Sequence, residues 1–214
     1  MSTRVRRALT VGSLGATALL TYMKAMRPWT LRWGASDQEV AEFMGGDDIV
    51  TKADYSATRG ITIDAPPQDV WPWLIQIGSG RAGWYSYDRI DNGGTPSATE
   101  IVPELQQLKV GDLIPMVVGK PVGVWVKELE PNRRLLLWDG KGEYTWEWVL
   151  HPLGDGRTRL INRLRAAYPH WTSPRMAYTL LATTGDIVMI RKMLRGIKAR
   201  AERHGATAAT ETLP

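Results

Sequence analysis

Few side chains in this 214-residue chain are suited to acid–base or covalent chemistry. It holds three histidines, His151, His170 and His204, and no cysteine. The lack of Cys removes thiol nucleophiles, disulfides, thiolate-bound zinc and iron–sulfur clusters together. His151 ends a strand-like run before Pro152, and His204 falls at the end of the last helical stretch, where a cation complements the helix dipole. His170 lies in the loop Tyr168-Pro169-His170-Trp171. Of the three it is the best candidate for a general base. No His-x-x-x-His or carboxylate–histidine spacing marks a metal site, and no Gly-x-Ser-x-Gly elbow is present. We therefore expect neither a metal nor a cofactor.

Gly78-Ser79-Gly80-Arg81-Ala82-Gly83 spells G-x-G-x-x-G. The dinucleotide mechanism needs a strand–turn–helix order, whereas this stretch follows a helix, so that reading is rejected. The glycines serve a sharp turn instead. Arg81 within them has two readings. Its guanidinium suits a fork onto a ligand carboxylate or phosphate, and it equally suits a structural ion pair with Asp88.

The elements around these residues are legible from periodicity. Thr58 to Ile63 alternates as a half-buried strand. Pro66-Pro67 then opens a helix whose Val70, Trp73, Leu74 and Ile77 form one apolar stripe, bent by Pro72. Tyr85 to Asn92 and Thr99 to Leu108 read as short helices. Five strands follow: Leu113 to Val118, Val122 to Glu130, Arg133 to Asp139, Glu143 to Pro152 and Arg157 to Tyr168. Short turns at Gly119-Lys120, Pro131-Asn132, Asp139-Gly140 and Asp155-Gly156 make them an antiparallel meander. Pro174 to Arg203 is a long helical stretch.

The segment APPQDVWPWLIQIGSGRAGWYSYD (65 to 88), with ATEIVPELQQLKVGDLIPM (98 to 116) and RPWTLRWGASDQEV (27 to 40), resembles one branch of the SRPBCC superfamily. These START-like, helix-grip proteins include polyketide cyclases and plant pollen allergens. The resemblance spans roughly residues 27 to 203. It implies an α+β fold: a curved antiparallel sheet wrapped around a long C-terminal helix, with a cavity between them. Gln76, Arg81, Tyr85, Tyr87 and Asp88 match the branch's motif.

Strand alternation predicts what faces that cavity. Tyr144, Trp146, Trp148 and Leu150 share one side of their strand, with Thr145 and Glu147 opposite. Leu160, Asn162 and Leu164 likewise oppose Arg159, Arg163 and Arg165. From the helix, Met176, Leu180, Thr183, Thr184, Ile187 and Ile190 fall on the sheet-facing side. The expected ligand-binding set is Gln76, Arg81, Tyr85, Tyr87, Tyr144, Trp146, Trp148, Asn162, Leu180 and Thr184. His170, Tyr85 and Asp88 are the catalytic candidates. Ten Trp and seven Tyr against one Phe suit a ligand cavity, and they suit a filled core equally, since each ring buries about 150–250 Å².

Composition limits the rest. A 43% hydrophobic and 23% charged content is that of a globular domain. The net charge of +5 is concentrated near the two ends, without the aromatic–basic interleaving of a nucleic-acid binder, so none is expected. Residues 1–26 contain the uncharged run Ala8 to Met23 behind Arg4, Arg6 and Arg7. That run is shorter than the ~20 residues of a membrane-spanning helix, and three readings stay open: an appended helix, a membrane anchor or interfacial helix, and a cleaved signal. Residues 27–53 read as a Trp-containing lead-in, 54–204 as the helix-grip domain and 205–214 as a disordered tail. Ser36 and Glu39 make a capping box in the lead-in. Three functions stay open: binding of a small hydrophobic or amphipathic molecule such as a lipid or polyketide-like compound, a cyclase/dehydratase-type enzyme, and association with a membrane surface. The expected location is cytoplasmic, with membrane association through residues 4–26 as an open alternative.

Overall fold

The computed structural model describes residues 24, 26–167 and 173–211, without the side chains of 173–184 and 206–211. Its order is α1 (Arg27–Leu31), α2 (Asp37–Ala41), α3 (Gly46–Ile49), β1 (Tyr55–Ile63), α4 (Pro67–Ile75), α5 (Asp88–Asp91), β2 (Leu113–Pro115), β3 (Gly123–Glu130), β4 (Arg134–Trp138), β5 (Tyr144–Pro152), β6 (Thr158–Ala166) and α6 (Ser173–Glu211). The six strands form one antiparallel sheet in the order β1-β6-β5-β4-β3-β2. Only the β1–β6 neighbours are non-sequential. The rest is the expected meander, and α6 closes over its inner face. The fold is α+β helix-grip, as the sequence implied.

Differences from expectation lie in the connections. Tyr85 to Asn92 is helical only over α5, and Thr99 to Leu108 yields a single 3-10 turn at Pro103–Leu105. Ile77 is fully buried but lies beyond the end of α4. The last helix continues past Arg203 to Glu211, into the stretch expected to be a disordered tail.

Cross-strand register sorts the two faces of the sheet. The row Arg59–Asn162–Trp148–Leu135 and the row Ala57–Leu164–Trp146–Leu137 point inward, toward α6. Thr58, Arg163, Glu147 and Leu136 point outward, yet all four are buried. They are covered by the lead-in, which crosses the outer face. Of the lead-in's tryptophans, Trp33 packs on the core, whereas Trp29 is 48% exposed.

Arginines provide the main grip. Arg163 donates to the carbonyls of Glu39, Val40 and Glu42, to the Thr58 hydroxyl and to Asp47. Arg165 donates to the carbonyls of Val50 and Thr51, and Arg159 pairs with Glu39. In return the Gly45 and Gly46 amides donate to the Glu147 carboxylate. The expected Ser36–Glu39 capping box is present. At the free edge of β1, the Gly60 amide donates to the Trp33 carbonyl at 3.2 Å. A Cβ on Gly34, whose φ is +72°, would overlap the Gly60 oxygen. The outer face is thus a half-buried polar layer held by arginine-to-carbonyl bonds.

Replacing Arg163 by Met should remove all five bonds, taking their donor from the Thr58 hydroxyl and the carbonyls of Glu39, Val40 and Glu42 and leaving Asp47 paired with Arg165. The expected cost is on the order of 3–5 kcal/mol, by analogy with breaking one side of a buried pair. Urea unfolding of Arg163→Met against the parent chain measures it.

Candidate functional site

Between α6 and one end of the inner face lies a cavity of about 160 Å³. Its walls include Trp84 and Ser86 from the glycine turn, Asp91 from α5 and Met116 after β2. Tyr144 and Trp146 come from β5, Leu164 from β6, and Asp186, Met189, Ile190 and Met193 from α6. The other end of the same interface is filled. There Leu150, Leu160, Ile63, Val70, Leu74, Leu194, Ile197 and Ala201 form part of one buried cluster.

The hollow end is also where charge is buried. Arg59, on the inner face of β1, is 0% exposed and pairs with Asp186 of α6 at 2.7 Å. The Tyr55 hydroxyl donates to the same Asp186 oxygen at 2.8 Å and accepts from Arg59 at 2.9 Å. Arg59 also donates to the Thr30 carbonyl of α1. Burial, followed by the neighbouring Asp186 charge, pushes the Tyr55 hydroxyl far above its usual pKa. Tyr55 therefore serves this cluster as a neutral donor.

Asp91 differs from Asp186. Both its carboxylate oxygens are shielded from solvent, and neither makes a well-formed hydrogen bond. Burial raises its pKa above the ordinary carboxylate value, and the nearby Asp88 charge adds to the shift. The Tyr87 amide and the Ser86 hydroxyl only temper it. The Ser86 hydroxyl is itself directed to the Met189 carbonyl at 3.1 Å.

Of the residues the sequence singled out, Tyr144 and Trp146 line the cavity. Trp148 and Asn162 share the inner face but are fully buried beneath it; Asn162 donates to the Glu147 carbonyl. Gln76, Arg81, Tyr85 and Asp88 gather elsewhere. The Tyr85 hydroxyl accepts from Gln76 at 2.9 Å and donates to the Trp73 carbonyl at 3.0 Å, and burial raises its pKa to about 12. Arg200 of α6 sits 4.4 Å from the Tyr85 ring centre. Gly196 lets α6 approach this turn, since a Cβ there would meet the Tyr85 carbonyl. Gln76 also donates to the Glu100 carbonyl and accepts from the Val102 amide and from Gln106.

Arg81 donates to the carbonyls of Ile75 and Ile77, which lie at and just beyond the end of α4, and burial lowers its pKa. Neither of its two bonds reaches Asp88, which accepts from the Ser97 hydroxyl. Tyr87 is on the surface, with the Lys192 ammonium 3.9 Å from its ring centre. His170 and the side chains of Leu180 and Thr184 lie outside the described residues.

Trp84, Ser86, Asp91, Met116, Asp186, Met189 and Met193 were not singled out from sequence. Tyr85 and Tyr87 flank the cavity-lining Ser86, so alternation along the turn was the available signal. Its parity is opposite to the one the motif suggested. For Asp91 there is no such signal, because a four-residue helix has no usable period. Among the described residues no group of acidic residues and histidines is placed to hold a metal ion.

No family model matches the chain, and no curated protein does. Solved structures resemble it at a distance. One is the polyketide-cyclase-like protein Cgl2372 from Corynebacterium glutamicum, 16% identical, with 67% of this chain and 88% of that one covered at a TM-score of 0.43. Another is the self-sacrificing resistance protein CalC from Micromonospora echinospora, 12% identical, covering 72% and 97% at a TM-score of 0.39. A third is the Aha1 dimer from Colwellia psychrerythraea, 16% identical, covering 67% and 96% at 0.38. The helix-grip fold itself rests on the strand order and the position of α6.

The Asp91 shift has a measurable sign. A carboxyl whose folded pKa lies above its unfolded value favours folding while protonated. That advantage is lost as pH rises from the unfolded pKa through the folded one. Asp91→Asn should therefore raise the thermal midpoint at neutral pH and lose this benefit below the ordinary carboxylate range. Melting curves across that range check both limbs.

Proposed function

We propose that this chain binds a small hydrophobic or amphipathic molecule between the sheet and α6. The observation that carries the reading is the cavity itself. A helix-grip core could have closed flush, and at its far end it does. At the Trp84–Trp146–Met189 end it leaves about 160 Å³. That volume is close to the ~150 Å³ of a dry engineered cavity able to hold one benzene, and below the ~300–1,000 Å³ of a pocket for a drug-sized ligand. The best-fitting guest is one aromatic ring or a short branched chain, with any longer portion passing out of the mouth. Three methionines in the wall favour adaptable packing around such a group.

Titration with small alkylbenzenes should change the tryptophan fluorescence saturably, because Trp84 and Trp146 stand in the wall with ring centres 5.6 Å apart. Met189→Trp should fill the space and weaken binding at least tenfold, with the far-ultraviolet circular dichroism unchanged. Equal binding by Met189→Trp would place the guest elsewhere.

A second reading, contact with an anionic membrane surface, is favoured by a separate groove of about 350 Å³ on the other side of α6. It is lined by Trp29, Tyr87, Ile187, Val188, Arg191, Lys192 and Arg195. Its three cations face aromatic rings and no lining carboxylate, and the buried Arg191 Nε has no acceptor among the described residues. Exposed Trp29, Val188 and nearby Ile90 add apolar surface. No helix among the described residues is long and apolar enough to cross a membrane, so the reading is one of surface contact. Basic side chains near an anionic bilayer contribute about 1 kcal/mol each. The triple change Arg191→Gln, Lys192→Gln and Arg195→Gln should cut flotation with phosphatidylglycerol vesicles and leave phosphatidylcholine vesicles unaffected.

A further inference from the structure

Three cations of α6 converge on one groove with no acid to meet them. Arg191 and Arg195 lie 5.3 and 5.7 Å from the ring centre of Trp33, and Arg191 lies 6.0 Å from that of Trp29. The Lys192 ammonium lies 3.9 Å from the Tyr87 ring centre. Lys192 and Arg195 are exposed and Arg191 is half-buried. Among the described residues, none of the three forms an ion pair or donates a hydrogen bond, and no Asp or Glu lines the groove. The stretches 1–25 and 168–184 contain no Asp or Glu either. Glu211 lies sixteen residues beyond Arg195, about 24 Å along α6. Ring faces attract these charges but accept few of their N–H bonds.

The shape of the groove limits what can answer them. It is concave, with a volume of about 350 Å³, so the occupant must project into it. Its rim is apolar: Trp29, Val188 and Tyr87 are 48%, 52% and 36% exposed, and Met26 ahead of α1 is 55% exposed. Tryptophan and tyrosine are the residues enriched where protein meets the edge of a bilayer. An anionic head beside apolar surface describes an acidic lipid better than a free ion.

We infer that this groove binds the phosphate monoester headgroup of a membrane lipid, with Arg191, Lys192 and Arg195 as its donors. This rests on the membrane-surface reading above and narrows it to a headgroup class. A phosphate monoester carries a charge of about −1.5 to −2 at neutral pH and three acceptor oxygens. Three cations in one groove match that charge and number, and an arginine fork takes two oxygens of one phosphate. A diester headgroup such as that of phosphatidylglycerol offers less charge and fewer free oxygens.

The test floats the full-length chain with phosphatidylcholine vesicles doped with phosphatidic acid, or with enough phosphatidylglycerol to give the same zeta potential. Non-specific attraction predicts equal binding, whereas the site predicts binding roughly tenfold tighter to phosphatidic acid, the worth of one charge-assisted bond. The preference should shrink as pH falls through about 6, where the monoester loses its second charge. The double change Arg191→Lys and Arg195→Lys keeps the charge and removes both forks. With its fold checked by a melting curve, it should lose the preference and keep phosphatidylglycerol binding within about twofold. Equal binding of the two vesicles by wild type, or an undiminished preference in the double variant, overturns the inference and leaves the surface-contact reading standing. If wild type floats with neither vesicle, both fall. Saturable binding of phenyl phosphate by a chain that floats with neither would assign the groove to a soluble phosphate ester and overturn the lipid.

Discussion

One buried guanidinium determines how the last helix meets the sheet. Arg59 projects from the edge strand toward α6 with no solvent exposure, so its charge must be answered inside the protein. Asp186, Tyr55 and the Thr30 carbonyl answer it. These partners come from the helix, the strand and the lead-in, so a single side chain ties three parts of the chain to one point. Such a pair adds little net stability compared with an apolar contact of the same volume, but removing either member is expensive. Its effect here is positional. It holds α6 at a fixed height above β1, next to the space that Leu164, Met189 and Trp146 enclose.

Along α6 the interface changes character. Toward the C-terminal half, Leu194, Ile197 and Ala201 meet the sheet and α4 with no exposure, in the dense packing of an ordinary interior. Gly196 brings the helix onto the turn at Tyr85, whose φ of 55° is rare for a residue with a side chain. Backbone in that region persists where surrounding contacts over-determine it, and the bonds to Gln76 and Trp73 and the Arg200 guanidinium over the ring do so. The motif residues thus clamp one half of the helix, and the Arg59 cluster spaces the other. The helix is clamped at one end and held off by a polar cluster at the other, and the cavity lies at the latter.

Much of this was legible in the sequence. The β5 alternation of Tyr144, Trp146 and Trp148 against Thr145 and Glu147 gave the right inner face, and the turn residues gave the meander. What escaped is equally physical. Strand alternation sorts residues to faces but says nothing about a second layer, so the burial of Glu147 and Arg163 beneath the lead-in was invisible. Arg59 sits on the apolar face and breaks the pattern the reading relied on. The motif 76–88 stands out by its unusual residues, yet Gln76, Arg81 and Tyr85 are unusual because they build a turn. The cavity wall runs through the less conspicuous Trp84 and Ser86 between them.

The outer face of the sheet has a bearing on what residues 27–51 are for. With Thr145, Glu147 and Arg163 each almost wholly enclosed, the strands alone would present water with a surface shaped for peptide carbonyls and amides. Residues 27–51 act as the missing layer of a sandwich, stitched on by hydrogen bonds where a second sheet would use side-chain oil. Natural variation in this strap should consequently be tied to the arginines beneath it, so that length changes within residues 27–51 are far less free than in an ordinary surface loop.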